Sequence, residues 1–196
     1  MFKRLFDLLF GFFTLIFALP FIGLFTLMVY LEDGSPVIFR QKRVGKDGQL
    51  FEMFKIRTMV KNAEQLQCPG EWREAPEMLH PKTKDDPRVT RVGRFLRRFS
   101  LDELPQLFNV LAGEMSLVGP RPELPSLVEK YEPWQRKRFS VVPGITGWWQ
   151  IKSRNHQPMY LHVEDDLYYI QNYSIWLDLK ILLHTIWVVL IGKGAY

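Results

Sequence analysis

A chain of 196 residues is long enough for one domain with a real core, or for a small domain and an anchor. Its single cysteine, Cys68, excludes a disulfide framework and a cysteine-based zinc site. The four histidines show no ligand spacing, which leaves a hard cation held by carboxylates and phosphate as the metal option. The net charge of +5 is modest but uneven: Arg88 to Arg98 holds five arginines and no acid, a pattern suited to a membrane surface, phosphate groups or nucleic acid.

The first element is apolar. LFDLLFGFFTLIFALPFIGLFTLMVYL, residues 5 to 31, is apolar on all sides and exceeds the ~20 residues that span a bilayer, and no A-x-A-like cleavage site follows it. Pro20, near its middle, is expected to kink or break the helix. Lys3 and Arg4 precede the run, and Arg40, Lys42, Arg43 and Lys46 follow it. Hydropathy alone favours a kinked single span, whereas basic residues at both ends favour a re-entrant helix–break–helix with both flanks in the cytoplasm. Asp7 either pairs with Arg4 near the headgroups or simply marks the end of the apolar stretch.

Residues 37 to 59 alternate around Asp47-Gly48 and predict a β-hairpin. A short helix is expected over 61–67, a Pro-rich charged loop over 68–87, and a helix over 91–99. SLDELPQ follows at 100–106. Acids in a first helical turn face the positive end of the helix dipole, so capping alone accounts for Asp102 and Glu103. With Ser100 as N-cap, Pro105 would fall fifth in the helix, where its missing N–H costs a bond. With Asp102 as N-cap it falls third, where that N–H is unpaired anyway. The register therefore predicts a helix over 103–112 that stops at Gly113. Leu104, Leu107, Phe108 and Leu111 form its apolar face, and Asp102, Gln106 and Asn109 lie on a polar one.

Residues 113–125 read as a Gly/Pro turn carrying Arg121, and 125–139 as a helix with Tyr131, Trp134 and Phe139. In VVPGITGWWQI, residues 141–151, Gly144 and Gly147 are either an anion-binding loop or a plain turn. A helix over 159–172 bears Glu164, Asp165 and Asp166. Residues 175–191, interrupted by Asp178, Lys180 and His184, suit a helix lying in the interface or packed on the anchor.

Taken in order, KRLFD with its proline-bearing apolar run, FRQKRVGKDGQLFEMFKIRTM, DPRVTRVGRFLRR, SLDELPQLFNVLAGEMSLVGPRP, PGITGWWQI and the GKGAY ending resemble the bacterial sugar transferase family, the monotopic polyprenyl-phosphate phosphoglycosyl transferases. The resemblance implies an α+β, mostly helical fold. Residues 1–32 would form a re-entrant membrane anchor, and 33–196 a catalytic domain with a small hairpin and interfacial amphipathic helices. It implies transfer of a sugar-1-phosphate from a UDP-sugar to polyprenyl (undecaprenyl) phosphate at the cytoplasmic face of a bacterial inner membrane, with release of UMP. Asp102 would be the covalent nucleophile, and Glu103 would assist acid–base work or join Asp102 in holding Mg²⁺. Arg121 and Arg154 would bind phosphate, with Arg97 and Asp166 as further substrate-binding candidates. Arg88, Arg91, Arg94 and Arg98 read as a stripe facing lipid headgroups. Membrane lipid is then a partner, nucleic acid is not, and the oligomeric state stays open. A silent membrane scaffold and a tethered nucleic-acid binder are the competing classes. The first leaves the acid pair and its arginines without a use, and the second leaves the acid pair unexplained.

Overall fold

A computed structural model describes residues 2–63, 86–153 and 163–191. The expected helix over 61–67 and loop over 68–87 therefore fall largely outside the described residues. The described residues are mostly helical, with two small sheets.

Helix α1, Phe2–Asp33, is long and apolar enough to cross a membrane. It runs through Pro20 without dividing into two helices, so the expected break is not present. One proline deletes one i→i−4 bond, and the turns on either side keep theirs. Asp7, Gly11, Leu15, Ala18, Phe25 and Val29 recur at helical spacing and are buried along the whole length. Leu15 and Ala18 join Leu107, Val110, Met115, Val118 and Ile181 in one core cluster. Phe25 and Val29 join Ile56 and Leu96 in another. The opposite face leaves Phe10, Phe13, Phe17, Leu24 and Leu31 exposed.

Polar contacts fasten α1 to the body at both ends. Lys3 Nζ lies 2.7 Å from Asp178 Oδ2, and Arg4 donates to the carbonyls of Val110 (2.6 Å) and Leu111 (2.9 Å). Asp7 does not partner Arg4. Its buried carboxylate accepts from Ser116 Oγ at 2.9 Å and Leu117 N at 3.1 Å. At the far end the Glu32 carboxylate accepts from the Arg91 and Val92 amides, and Asp33 pairs with Arg57 at 2.8 Å.

The hairpin is as expected: β1, Ile38–Val44, pairs antiparallel with β2, Leu50–Ile56. Its turn puts Asp47 at φ 53° and Gly48 at φ 79°, left-handed values that Asp and Gly tolerate best. Helix α2 is Arg91–Arg98, with Thr90 Oγ1 capping the Gly93 amide at 2.9 Å. Helix α3, Gln106–Ala112, ends at Gly113.

A second, parallel pair was not anticipated. Strand β3, Ser116–Val118, pairs with β4, Gly144–Thr146, across a long crossover. The glycines there allow close backbone packing. A Cβ on Gly144 would overlap the Gly119 amide, and one on Gly147 would overlap the Gly119 carbonyl. Gly144→Ala is accordingly expected to destabilise by about 3 kcal/mol, the upper end of the usual overpacking cost, because rigid backbone must move. Gly23 has nothing within 4 Å of its Cβ position, so Gly23→Ala should be neutral or stabilising by up to about 1 kcal/mol. Thermal unfolding of both variants in detergent checks the contrast.

Between these strands the expected helix over 125–139 is shorter. Helix α4 is Pro125–Val128, and a 3-10 segment, Gln135–Ser140, follows. Pro133, without an N–H and adverse to helix in the preceding residue, separates them. Helix α5, Trp148–Ser153, lies where a loop was expected. Helix α6 is Val163–Gln171, and α7, Ile175–Ile191, has the expected bounds. Its Asp178 is buried, accepting from Tyr169 Oη at 2.6 Å, while Trp176, Leu183, Ile186, Trp187 and Leu190 point outward.

Candidate active site at the acidic turn

Ser100 adopts a left-handed conformation, φ 53°, and ends α2. Leu101–Glu103 then makes one 3-10 turn, and α3 begins only at Gln106, with Pro105 at its N-cap. Asp102 is thus not the N-cap of α3, and at 9% exposure it is buried rather than at an open helix end. The reason lies in packing. Asn109, from the face taken as polar, is buried: its amide donates to the Glu52 carbonyl at 2.7 Å, and its Oδ1 accepts from the Phe54 amide at 3.2 Å. Those bonds fix α3 against β2, and Gln106 is buried beside them in the sequence. Leu107 is in the core as expected, but Phe108 is 43% exposed.

Strand β2 brings Lys55 to the acidic turn. Lys55 Nζ and Arg121 Nη2 each lie 2.9 Å from Glu103 Oε1. All three side chains are largely buried, so the pairing is little screened. Burial alone would raise the Glu103 pKa, but the charges of Arg121 and then Lys55 hold it well below the usual carboxylate range. Glu103 is therefore ionised at neutral pH, and the stability it contributes is lost only as pH falls through its depressed pKa. Arg121, in turn, is held protonated by Glu103. Arg97 Nε donates to Thr58 Oγ1 at 2.8 Å; burial pulls its guanidinium pKa down, and the nearby charge of Asp102 opposes this.

Arg121 is itself held in place. Its carbonyl accepts from Arg138 Nη2 at 2.9 Å. Arg138 is 1% exposed, donates to Tyr131 Oη at 2.9 Å and lies 2.6 Å from Asp166 Oδ2 and 3.6 Å from Glu123 Oε2. From the hairpin, the Val44 amide donates to the Glu123 carbonyl at 2.8 Å and Arg43 Nη1 to the Pro122 carbonyl at 3.3 Å. The segment around Arg121 is clamped from both sides.

The structure thus brings together Glu103 and Arg121, with Arg97 near Asp102. Asp166 lies in the Arg138 cluster and connects to this group through the Arg121 main chain. Arg154 falls outside the described residues, and Pro20 lies within α1. Reading the sequence missed Lys55 and Arg138. Lys55 carried one signal, a cation within the largely apolar strand FEMFKI; Arg138, in RKRF, looked like any surface cation. Of the proposed basic stripe, Arg91, Arg94 and Arg98 are exposed, whereas Arg88 pairs with Asp86 at 2.7 Å.

Among the described residues no three His, Cys, Asp or Glu side chains gather as a metal site. Asp102 and Glu103, adjacent in sequence, are the residue type that Mg²⁺ takes one or two of from a protein, completing its shell with phosphate oxygens and water.

Burial pushes Asp166 up to about 6, against the pull of Arg138. A raised carboxyl pKa stabilises fully below the ordinary value of 3.8 and ceases to do so as pH rises through about 6. Relative to Asp166→Asn, the wild-type thermal midpoint is expected to fall between about pH 4 and pH 6.5. Parallel pH dependence of the two proteins would contradict this.

Comparison with known proteins places these observations. Residues 1–192 match the family model described as bacterial sugar transferase. The chain is 45% identical to the galactosyl transferase CpsE of Streptococcus agalactiae, covering 89% of this chain and 39% of that protein. It is 41% identical to the undecaprenyl-phosphate galactose phosphotransferase of Salmonella typhimurium, over 99% of this chain and 41% of that protein. It is 39% identical to the exopolysaccharide production protein ExoY of Sinorhizobium fredii, over 99% of this chain and 88% of that one. The chain therefore spans about two-fifths of the first two relatives and most of the third.

Proposed function

The chain belongs to the bacterial sugar transferase family, and on that premise we propose that it moves a sugar-1-phosphate from a UDP-sugar to undecaprenyl phosphate, an early membrane step in making surface polysaccharide. The observation that carries this reading is the ionised Glu103 held between Lys55 and Arg121 beside buried Asp102. It joins a carboxylate nucleophile to fixed positive charge, which phosphoryl transfer requires.

In the proposed reaction an Asp102 carboxylate oxygen attacks the β-phosphorus of the UDP-sugar. The bond from that phosphorus to the bridging oxygen breaks, and UMP leaves with the electron pair. An oxygen of undecaprenyl phosphate then attacks the same phosphorus, the aspartyl–phosphate bond breaks, and the carboxylate is restored. A second attack by a bound phosphate is easier than one concerted displacement between two anions. Arg121 and Lys55 neutralise the phosphoryl oxygens, and Arg97 offsets the Asp102 charge in the resting site. Asp102 and Glu103 would hold Mg²⁺, which when bound supplies Lewis-acid neutralisation of the diphosphate. Galactose-1-phosphate is the first group to test, since two of the relatives above bear galactose in their names.

The same reading puts α1 in one leaflet of the inner membrane, on its cytoplasmic side. A 32-residue helix is about 48 Å long at 1.5 Å per residue, yet its buried stripe continues from Asp7 to Val29 and both ends pair with the body. A helix crossing the bilayer would carry its middle away from a water-facing domain. An in-plane or shallow re-entrant helix keeps those contacts and offers Phe10, Phe13, Phe17 and Leu24 to lipid, alongside the outward face of α7. Cysteines introduced beside Lys3 and at Arg40 should both label from the cytoplasmic side. Opposite accessibility would favour a single span.

Functionally, the purified protein with Mg²⁺ and undecaprenyl phosphate is expected to release UMP from at least one member of a UDP-sugar panel. Galactose and N-acetylgalactosamine donors come first. A folded, membrane-bound protein releasing no UMP from any donor would overturn the reading.

A further inference from the structure

A groove of about 260 Å³ opens on one side of Glu103, between the 3-10 turn, α1, β4, α5 and α7. Leu104, Leu107 and Leu117 line its inner part, and Leu182, Thr185 and Val189 line it from one face of α7. Thr14 of α1 stands at its edge and is exposed. None of the cations near the acidic turn lines it: Lys55, Arg97 and Arg121 are all absent from its walls.

That asymmetry separates two kinds of ligand. A nucleotide diphosphate needs cations and hydrogen-bond donors, which lie on the Lys55–Arg121 side of Glu103. A mainly apolar channel, whose uncharged polar groups are Ser100, Gln150 and three threonines, offers a diphosphate no cation among the described residues and suits hydrocarbon better. Its flanking helices, α1 and α7, are also those whose outer faces leave large apolar side chains exposed, among them Phe13, Phe17, Leu183 and Trp187. A tail leaving the groove past Thr14 would therefore enter the same apolar surroundings without crossing a polar surface.

On the transferase reading, we infer that this groove takes the first isoprene units of the lipid acceptor, with the acceptor phosphate directed at the acidic turn and the rest of the chain leaving between α1 and α7 toward the bilayer. The two substrates then approach from opposite sides: the donor over Lys55 and Arg121, the acceptor from the groove.

The test uses the whole protein in lipid nanodiscs and a diazirine-bearing geranylgeranyl phosphate. Photolysis followed by residue-level mass spectrometry is expected to label Thr14, Leu182, Thr185 or Val189, and excess undecaprenyl phosphate should suppress the label. Labelling confined to the outer positions Leu183 and Trp187, or suppressed equally by phosphatidylglycerol, overturns the inference. Kinetics provide a second reading. Thr14→Trp, at an exposed position that tolerates bulk, and Val189→Trp should each lower kcat/KM for undecaprenyl phosphate about tenfold, with the KM for UDP-sugar unchanged. Leu183→Trp, outside the groove, should change neither. Unaltered acceptor kinetics in both groove variants would also overturn it. Photolabelling needs no turnover, so a wild type that labels in the groove but releases no UMP would refute the transferase reading and leave the groove assignment standing.

Discussion

Asp102→Asn is expected to reduce UMP release by at least about 10,000-fold, the scale seen when a covalent nucleophile is removed. Asparagine matches aspartate in shape, so the 3-10 turn and the start of α3 should persist. The change removes the charge that offsets Arg97 and the oxygen that would bond to phosphorus. Intact-protein mass spectrometry gives a second readout. The wild type incubated with donor alone should gain the mass of a sugar-phosphate, and the variant should gain nothing. Full activity in the variant would end the covalent account while leaving the net transfer open to a direct displacement.

Arg121→Ala should lower kcat about 100- to 1,000-fold, or roughly 3 to 4 kcal/mol of transition-state stabilisation, because a fixed positive charge facing the developing phosphoryl charge is lost. It should also alter the pH profile. Arg121 provides the largest pull holding Glu103 below the usual carboxylate range, against a burial effect that pushes it up. Without the guanidinium, burial is opposed chiefly by Lys55, so the Glu103 pKa moves upward. A carboxylate needed in its ionised form is then lost as pH falls through that higher value. The wild-type kcat should be flat on the acid side of neutrality, and the variant should decline there; Arg121→Lys should retain much of the flat profile. A steady-state profile from pH 5 to 8 checks this, and parallel profiles would contradict the role assigned to the pair.

The elements legible in the sequence were those settled by neighbours along the chain. Asp47-Gly48 supplies a turn whose left-handed residues need no distant partner, and the hairpin forms around it. Helix α7 has the bounds expected from its apolar run. Local rules failed where two answers satisfied them equally. Pro105 is tolerated either as the third residue of a helix or at its N-cap, and the choice was made by Asn109 bonding to β2, a contact between residues far apart in sequence. The β3–β4 pair joins three-residue strands more than two dozen residues apart, too short to show a period. The candidate site was legible as acids and arginines but not as a network. Lys55 and Arg138 carry no local mark of their partners, since a buried ion pair is defined by the chain that folds over it. Asp7 shows the same limit: adjacent turns of α1 suggested Arg4, whereas the fold supplied Ser116.

If a phosphosugar, not a bare sugar, is transferred to the lipid, the nucleotide released reports this directly. Incubated with Mg²⁺, undecaprenyl phosphate and its preferred UDP-sugar, the wild-type protein should yield UMP and undecaprenyl-diphosphate-sugar in equal amounts. Release of UDP, with the sugar joined to the lipid through a single phosphate, would contradict the account.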